Sequence, residues 1–215
     1  MYNFEFVSKK KRVPIKKDLI AILNQVQDIV RKDFTFRYDF VGSDKRNMVT
    51  YDFKSNIGFD FDVNIEVNDE DNSFSAKEIK IKLINALNKI ARKYGYDFAE
   101  DSTRVITIKV KDKENSKILH SCDFAIVNNY VDEDGYHRQE YIYFNKKQNS
   151  YYWQEQSGGY YMLPEKAEWI EENEYQKELR NLYLDKKKKN FSGKHSRTLY
   201  AESVHEICQK YGYYD

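Results

Sequence analysis

The chain has 215 residues, enough for one domain or for one domain with a helical appendage. Leu, Ile, Val and Phe make up about a quarter of it, which excludes disorder as the default, and 19 Tyr with 13 Phe predict an aromatic-heavy core. The 36 basic and 35 acidic residues nearly cancel, which excludes nucleic-acid binding through bulk charge and leaves only a local patch for that purpose. Two Cys cannot build a disulfide framework, so a reducing compartment is expected. No apolar run has the length of a membrane span, and the opening MYNFEFVSKKKR lacks the core of a secretory signal. Both point to a cytoplasmic protein without a membrane partner.

Pro14 is read as the start of a helix over 15–32, with Ile15, Leu19, Ile22, Val26 and Ile29 on one stripe. Residues 34–41 alternate aromatic and polar, as a half-buried strand does. Gly42-Ser43 ends that strand, and 44–58 reads as loop. In 59–67 every odd residue is apolar and every even one polar, which predicts a strand. Ser75-x-x-Glu78 is a capping box. The helix behind it carries Ile79, Leu83, Leu87, Ile90 and Tyr94 on one face and stops at Gly95. Strands follow over 104–110, 118–127, 135–144 and 150–156, the last two as a hairpin. A helical region runs from Pro164 to about 184. A loop follows over 186–193, then a last helix over 196–211 with Leu199, Val204, Ile207 and Tyr211. This order predicts an α+β fold, a mixed sheet flanked by helices. Residues 1–160 would form the core, with a small C-terminal helical part, 161–215, packed on it.

Asp60 and Asp62 leave the same face of their strand, about 7 Å apart. Two carboxylates so placed can share a divalent cation, although the wet face of an amphipathic strand also accounts for them. Asp disfavours strands, so a pair in so regular a strand wants a reason. The Gly42-Ser43 turn lets backbone approach a phosphate, and it would equally serve as a plain turn. Asp123 lies in the otherwise apolar run 119–127, where a carboxylate is costly unless paired, hydrogen-bonded or metal-bound.

In this order, Val41-Gly42-Ser43, Phe59-Asp60-Phe61-Asp62-Val63 and Cys122-Asp123-Phe124 resemble the motif set of the polymerase-beta-like nucleotidyltransferase superfamily. The helix before the Gly-Ser strand and the helix between the carboxylate strands fit it too. Sixteen residues separate Ser43 from Asp60, more than the usual spacing, so the loop carries an insertion. Within the superfamily, the compact build with C-terminal helices looks most like the oligoadenylate-synthase-like and bacterial antiphage-signalling branches. The resemblance implies transfer of a nucleoside monophosphate from an NTP, ATP foremost, to an unidentified hydroxyl on a nucleotide, protein or RNA. It implies Mg²⁺ or Mn²⁺ held by Asp60, Asp62 and Asp123, with those three catalytic and converging on a common point. It implies Gly42 and Ser43 on the β- and γ-phosphates, with Lys194 and Ser196 as further triphosphate contacts. The alternative is a binding or regulatory module that keeps the fold without catalysis. A third reading is a nucleic-acid-binding protein that uses the basic runs 9–12 and 186–189, which also read as solvated faces. Lys45 and Arg46 are weaker phosphate candidates. The pairs His120/Cys122 and His205/Cys208 lack the spacing of a zinc site. Tyr141, Tyr143, Tyr151 and Tyr152 could stack a base or simply pack a sheet.

Overall fold

The computed structural model describes residues 2–52, 54, 55, 58–69 and 71–213. In chain order the elements are β1 (Phe4–Phe6), α1 (Lys9–Val30), β2 (Thr35–Val41), the single turn α2 (Gly42–Lys45), β3 (Thr50–Asp52) and β4 (Phe59–Asn68). Then come α3 (Ala76–Ile90), a 3₁₀ turn over Ala91–Tyr94, β5 (Glu100–Asp101), β6 (Ile106–Asp112), β7 (Lys117–Val131), β8 (His137–Asn145) and β9 (Ser150–Glu155). Three helices close the chain: α4 (Gly159–Glu172), α5 (Gln176–Lys188) and α6 (Ser196–Tyr211). No helix among the described residues is long and apolar enough to cross a membrane. The protein is α+β with a mixed sheet.

The chain divides into two compact units. The larger holds 6–49 and 56–156. Its sheet runs β2-β4-β7-β6-β5, with β8 continuing along β7 and β9 outside β8. The β4–β7 pairing is parallel and the other pairings are antiparallel. A parallel pair needs a long crossover, and α3 lies in the chain between β4 and β7. The capping box starts it: Ser75 Oγ accepts from the Glu78 amide, and Glu78 Oε2 accepts from the Ser75 amide at 2.9 Å. Gly95 ends the following turn at φ +84, a left-handed conformation that suits glycine. Helices α1 and α3 pack side by side. The odd residues Phe59, Phe61, Val63 and Ile65 are buried, together with Leu19, Ile22, Leu23, Leu83 and Leu87. The even residues of β4 are thereby turned to the opposite, polar face.

The helical unit holds 1–5, 50–55 and 157–215. There α4 and α5 pack on α6, and Tyr175 stacks on Tyr211 with centroids 3.9 Å apart.

Four expectations are corrected. α1 begins at Lys9, not at Pro14, because Ser8 caps it and its hydroxyl accepts from the Lys11 amide. The stretch read as loop after Ser43 contains α2 and β3, while its residues 53, 56 and 57 lie outside the described residues. The single helical region after Pro164 is two helices, parted where Glu174 takes φ +63. α5 runs to Lys188, into the predicted loop.

Candidate active site

The polar face of the sheet carries the candidate residues. In the parallel pairing Asp62 stands opposite Asp123 and Asp60 opposite Ser121. Register partners share a face, so all three carboxylates leave one side of two adjacent strands about 4.8 Å apart. On the next strand Thr107 is the partner of Asp123, and its hydroxyl donates to Asp123 Oδ1 at 2.6 Å. On the other flank Val41, the last residue of β2, pairs with Asp62. That register delivers the Gly42-Ser43 turn directly over Asp62.

The contact with Gly42 is close. Gly42 has φ +62, and a Cβ built on it would lie 2.1 Å from Asp62 Oδ2. A side chain is excluded here both by backbone conformation and by space. The Ser43 backbone N–H donates to the Asp62 carboxylate. Burial pushes the Asp62 carboxyl up to about 7, helped by the charges of Asp60 and Asp123 and opposed by Arg46 and the Ser43 amide. Burial likewise raises Asp123, against the Thr107 hydrogen bond. Asp60 is exposed. Like charges gathered on a half-buried surface are the setting that a hard divalent cation neutralises, and carboxylate oxygens are its preferred donors. The residues present therefore fit Mg²⁺ or Mn²⁺ chemically. Even so, no three His, Cys, Asp or Glu side chains stand as a closed ligand set among the described residues. The expected convergence of Asp60, Asp62 and Asp123 on a common point is therefore not seen; Asp62 accepts from the Ser43 amide and Asp123 from the Thr107 hydroxyl.

Further along the same face lies a cavity of about 390 Å³ lined by Lys16, Asp39, Lys45, Asn64, Glu66 and Gln139 among others, and none of the three carboxylates lines it. Lys45 thus borders open space next to the turn. Sequence reasoning missed Thr107 and Asn64. Asn64 continues the parity of Asp60 and Asp62, which was a usable signal; Thr107 had none, because strand register is invisible in the sequence.

Lys194 and Ser196 belong to the helical unit. Lys194 Nζ pairs with Glu202 at 2.5 Å, and Ser196 Oγ accepts from Lys187 Nζ at 2.8 Å. In the basic run at 186–189, Lys186 pairs with Glu206 and Lys189 with Asp185. His120 stacks on Phe59 with centroids 5.7 Å apart, and Cys122 is fully buried; both leave the strand on the side away from Asp123. Tyr143 and Tyr152 stack at 5.2 Å on the polar face, while Tyr151 stacks on Phe144 at 4.3 Å on the other.

No family model matches the chain, and no curated protein matches it. Solved structures do. The Vibrio cholerae dinucleotide cyclase DncV in complex with GTP has a TM-score of 0.63 at 12% identity, over 93% of this chain and 68% of that one. DncV with a linear intermediate gives 0.62 at 12% identity, over 95% of this chain and 73% of that one. DncV described as a cyclic AMP-GMP synthase and prokaryotic cGAS homolog gives 0.56 at 12% identity, over 82% of this chain. In that comparison the chain spans 60% of the DncV length. What is shared at such low identity is the fold: this chain has the mixed α+β nucleotidyltransferase fold of these neighbours.

Proposed function

We propose that the protein is a Mg²⁺- or Mn²⁺-dependent nucleotidyltransferase that moves a nucleoside monophosphate from an NTP to a hydroxyl acceptor and releases pyrophosphate. The observation that carries this reading is the Asp62–Asp123 pairing with Asp60 on the same face and the Gly42-Ser43 turn laid over Asp62. A fold alone would not carry it, because one fold hosts many functions.

In this reading Asp60, Asp62 and Asp123 hold the cations, with residues 1–160 as catalytic core and 161–215 as the helical part. The bound ions would neutralise the triphosphate and lower the pKa of the attacking hydroxyl. The Gly42-Ser43 turn offers amides and a hydroxyl to the β- and γ-phosphates. The Ser43 amide, now bonded to Asp62, would become free for a phosphate once the Asp62 carboxylate held a cation. Thr107 orients the Asp123 carboxylate, which would be one of the groups holding the cation. Holding donor and acceptor in line accounts for most of the rate, since this transfer needs no covalent step by the protein. Lys194 and Ser196 are proposed as further triphosphate contacts, freed from Glu202 and Lys187. ATP is the first donor to try, and a product joining two nucleotides the first to seek, because DncV is a cyclic AMP-GMP synthase.

The hydrogen bonds that already engage Asp62 and Asp123, from the Ser43 amide and the Thr107 hydroxyl, favour a second reading, a binding or regulatory module without catalysis. Incubation with each labelled NTP and Mg²⁺ or Mn²⁺, with and without cell extract, separates the two. A product containing the labelled monophosphate supports the enzyme. Nucleotide binding without turnover under every condition supports the module.

A further inference from the structure

Arg12 closes a basic run that composition assigns to solvent, yet its side chain is 9% exposed and faces Asp44, which is 4% exposed. Its Nη1 donates to Asp44 Oδ1 at 2.5 Å and, more weakly, to the Asp44 carbonyl at 3.4 Å. Its Nη2 donates to Asn47 Oδ1. Lys16, one helical turn along α1, holds the other carboxylate oxygen, with Nζ 2.6 Å from Asp44 Oδ2. α1 therefore grips the segment after Ser43 at a side chain, at a carbonyl and at Asn47, which itself stands at φ +56. The Ser43 carbonyl is tied as well, accepting from the Met48 amide at 2.8 Å.

A buried ion pair is weak evidence for stability, since apolar residues of similar volume often serve as well. This one is also imperfect, because Arg12 Nε is buried without a hydrogen-bond partner. What a guanidinium forked between Asp44 and Asn47 does supply is direction. The residues immediately before Asp44 are Gly42, pressed on Asp62, and Ser43, whose amide points at the Asp62 carboxylate.

We propose that Arg12 and Asp44 are positioning residues that hold the Gly42-Ser43 turn against Asp62 and so aim the amides that would meet a triphosphate. Neither touches substrate; both act through Ser43. The functional half rests on the nucleotidyltransferase reading above.

The test uses Arg12→Lys, which keeps the charge but loses the fork, and Arg12→Met with Asp44→Leu, which replaces the pair by apolar groups. Two quantities are read: hydrogen exchange of the Ser43 amide without nucleotide, and the affinity for ATP with Mg²⁺. Both variants should melt near the wild type. Ser43 exchange should rise by at least about tenfold in the double variant and less in Arg12→Lys. ATP affinity should fall in the same order, by about tenfold for the double variant. If the double variant does not fold, Arg12→Lys alone decides through the same two readouts. Unchanged Ser43 exchange in a folded variant overturns the positioning. Faster exchange with unchanged ATP affinity overturns its functional half. Should the wild type bind no ATP, the nucleotidyltransferase reading fails separately, and Ser43 exchange still decides whether the pair positions the turn.

Discussion

Gly42 and Asp62 occupy each other's space: the point where a Cβ of residue 42 would stand is 2.1 Å from the Asp62 carboxylate oxygen. Replacing Gly42 by Ala therefore imposes two costs. A left-handed non-glycine residue costs about 1–2 kcal/mol, and the carboxylate must leave its place over the turn. Gly42→Ala is expected to lower the melting temperature by several degrees, at roughly 2–4 °C per kcal/mol for a chain of this size. It should also abolish nucleotide binding at the turn. Thermal melts with and without ATP·Mg²⁺ check both, and an unchanged melting temperature would show that the turn has other conformations open to it.

Asp62→Asn and Asp123→Asn are expected to abolish transfer and to leave the fold intact. Each removes a carboxylate from the proposed cation site, a loss of several kcal/mol of transition-state stabilisation by order of magnitude. The neutral amide at 62 can still accept from the Ser43 N–H, and it ends the repulsion with Asp60 and Asp123 that raises the Asp62 pKa. Without added metal, Asp62→Asn should therefore melt no lower than the wild type. Transfer by a folded Asp62→Asn protein at the wild-type rate would remove Asp62 from the site.

Much of this arrangement is legible along the chain, and the missing parts have a common cause. Ser75 and Glu78 announce their helix because both halves of the capping box lie within one turn. The alternation through Phe59, Asp60, Phe61 and Asp62 fixes which residues share a face because strand parity is local. The pairing of Asp62 with Asp123 is not legible, since it depends on where the α3 crossover sets β7 down. Along the chain Arg12 reads as one of a solvated basic run, because its partner Asp44 lies 32 residues away. Ser8 caps α1 with a bond three residues long, yet Pro14 drew the boundary to itself as the stronger local sign. Local chemistry was readable, and partners chosen by the tertiary fold were not.

His120 predicts a pH dependence of stability. Burial lowers its pKa to about 4 from 6.5, with the nearby Lys11 charge adding to this and Asp18 opposing it. Between those values the unfolded chain binds a proton that the folded chain does not. The folded state thus loses stability as pH falls from 6.5 towards 4. After allowance for the part of the ring open to solvent, the effect at about pH 5 is about 1 kcal/mol. His120→Phe keeps the stacking on Phe59 and Tyr96. The difference in melting temperature between His120→Phe and wild type should widen by a few degrees between about pH 7.5 and about pH 5, in favour of the variant. A constant difference would show that His120 titrates normally.

Nucleotide binding gives the most direct check of the site as a whole. A ligand that binds only the folded state stabilises it by about 2.7 kcal/mol at a hundredfold excess over its Kd. At roughly 2–4 °C per kcal/mol, ATP with Mg²⁺ should raise the melting temperature by several degrees. The shift should vanish without the cation, because Asp60, Asp62 and Asp123 then repel the triphosphate and Asp62 keeps the Ser43 amide. Ser43→Ala should reduce it only in part, since the hydroxyl goes and the backbone N–H stays. Asp123→Asn should reduce it less than Asp62→Asn, because Asp62 lies against the turn proposed to meet the phosphates. A shift of equal size with and without the cation would place the nucleotide away from the three carboxylates. No shift with any NTP, with either Mg²⁺ or Mn²⁺, would remove the nucleotide from the proposal altogether.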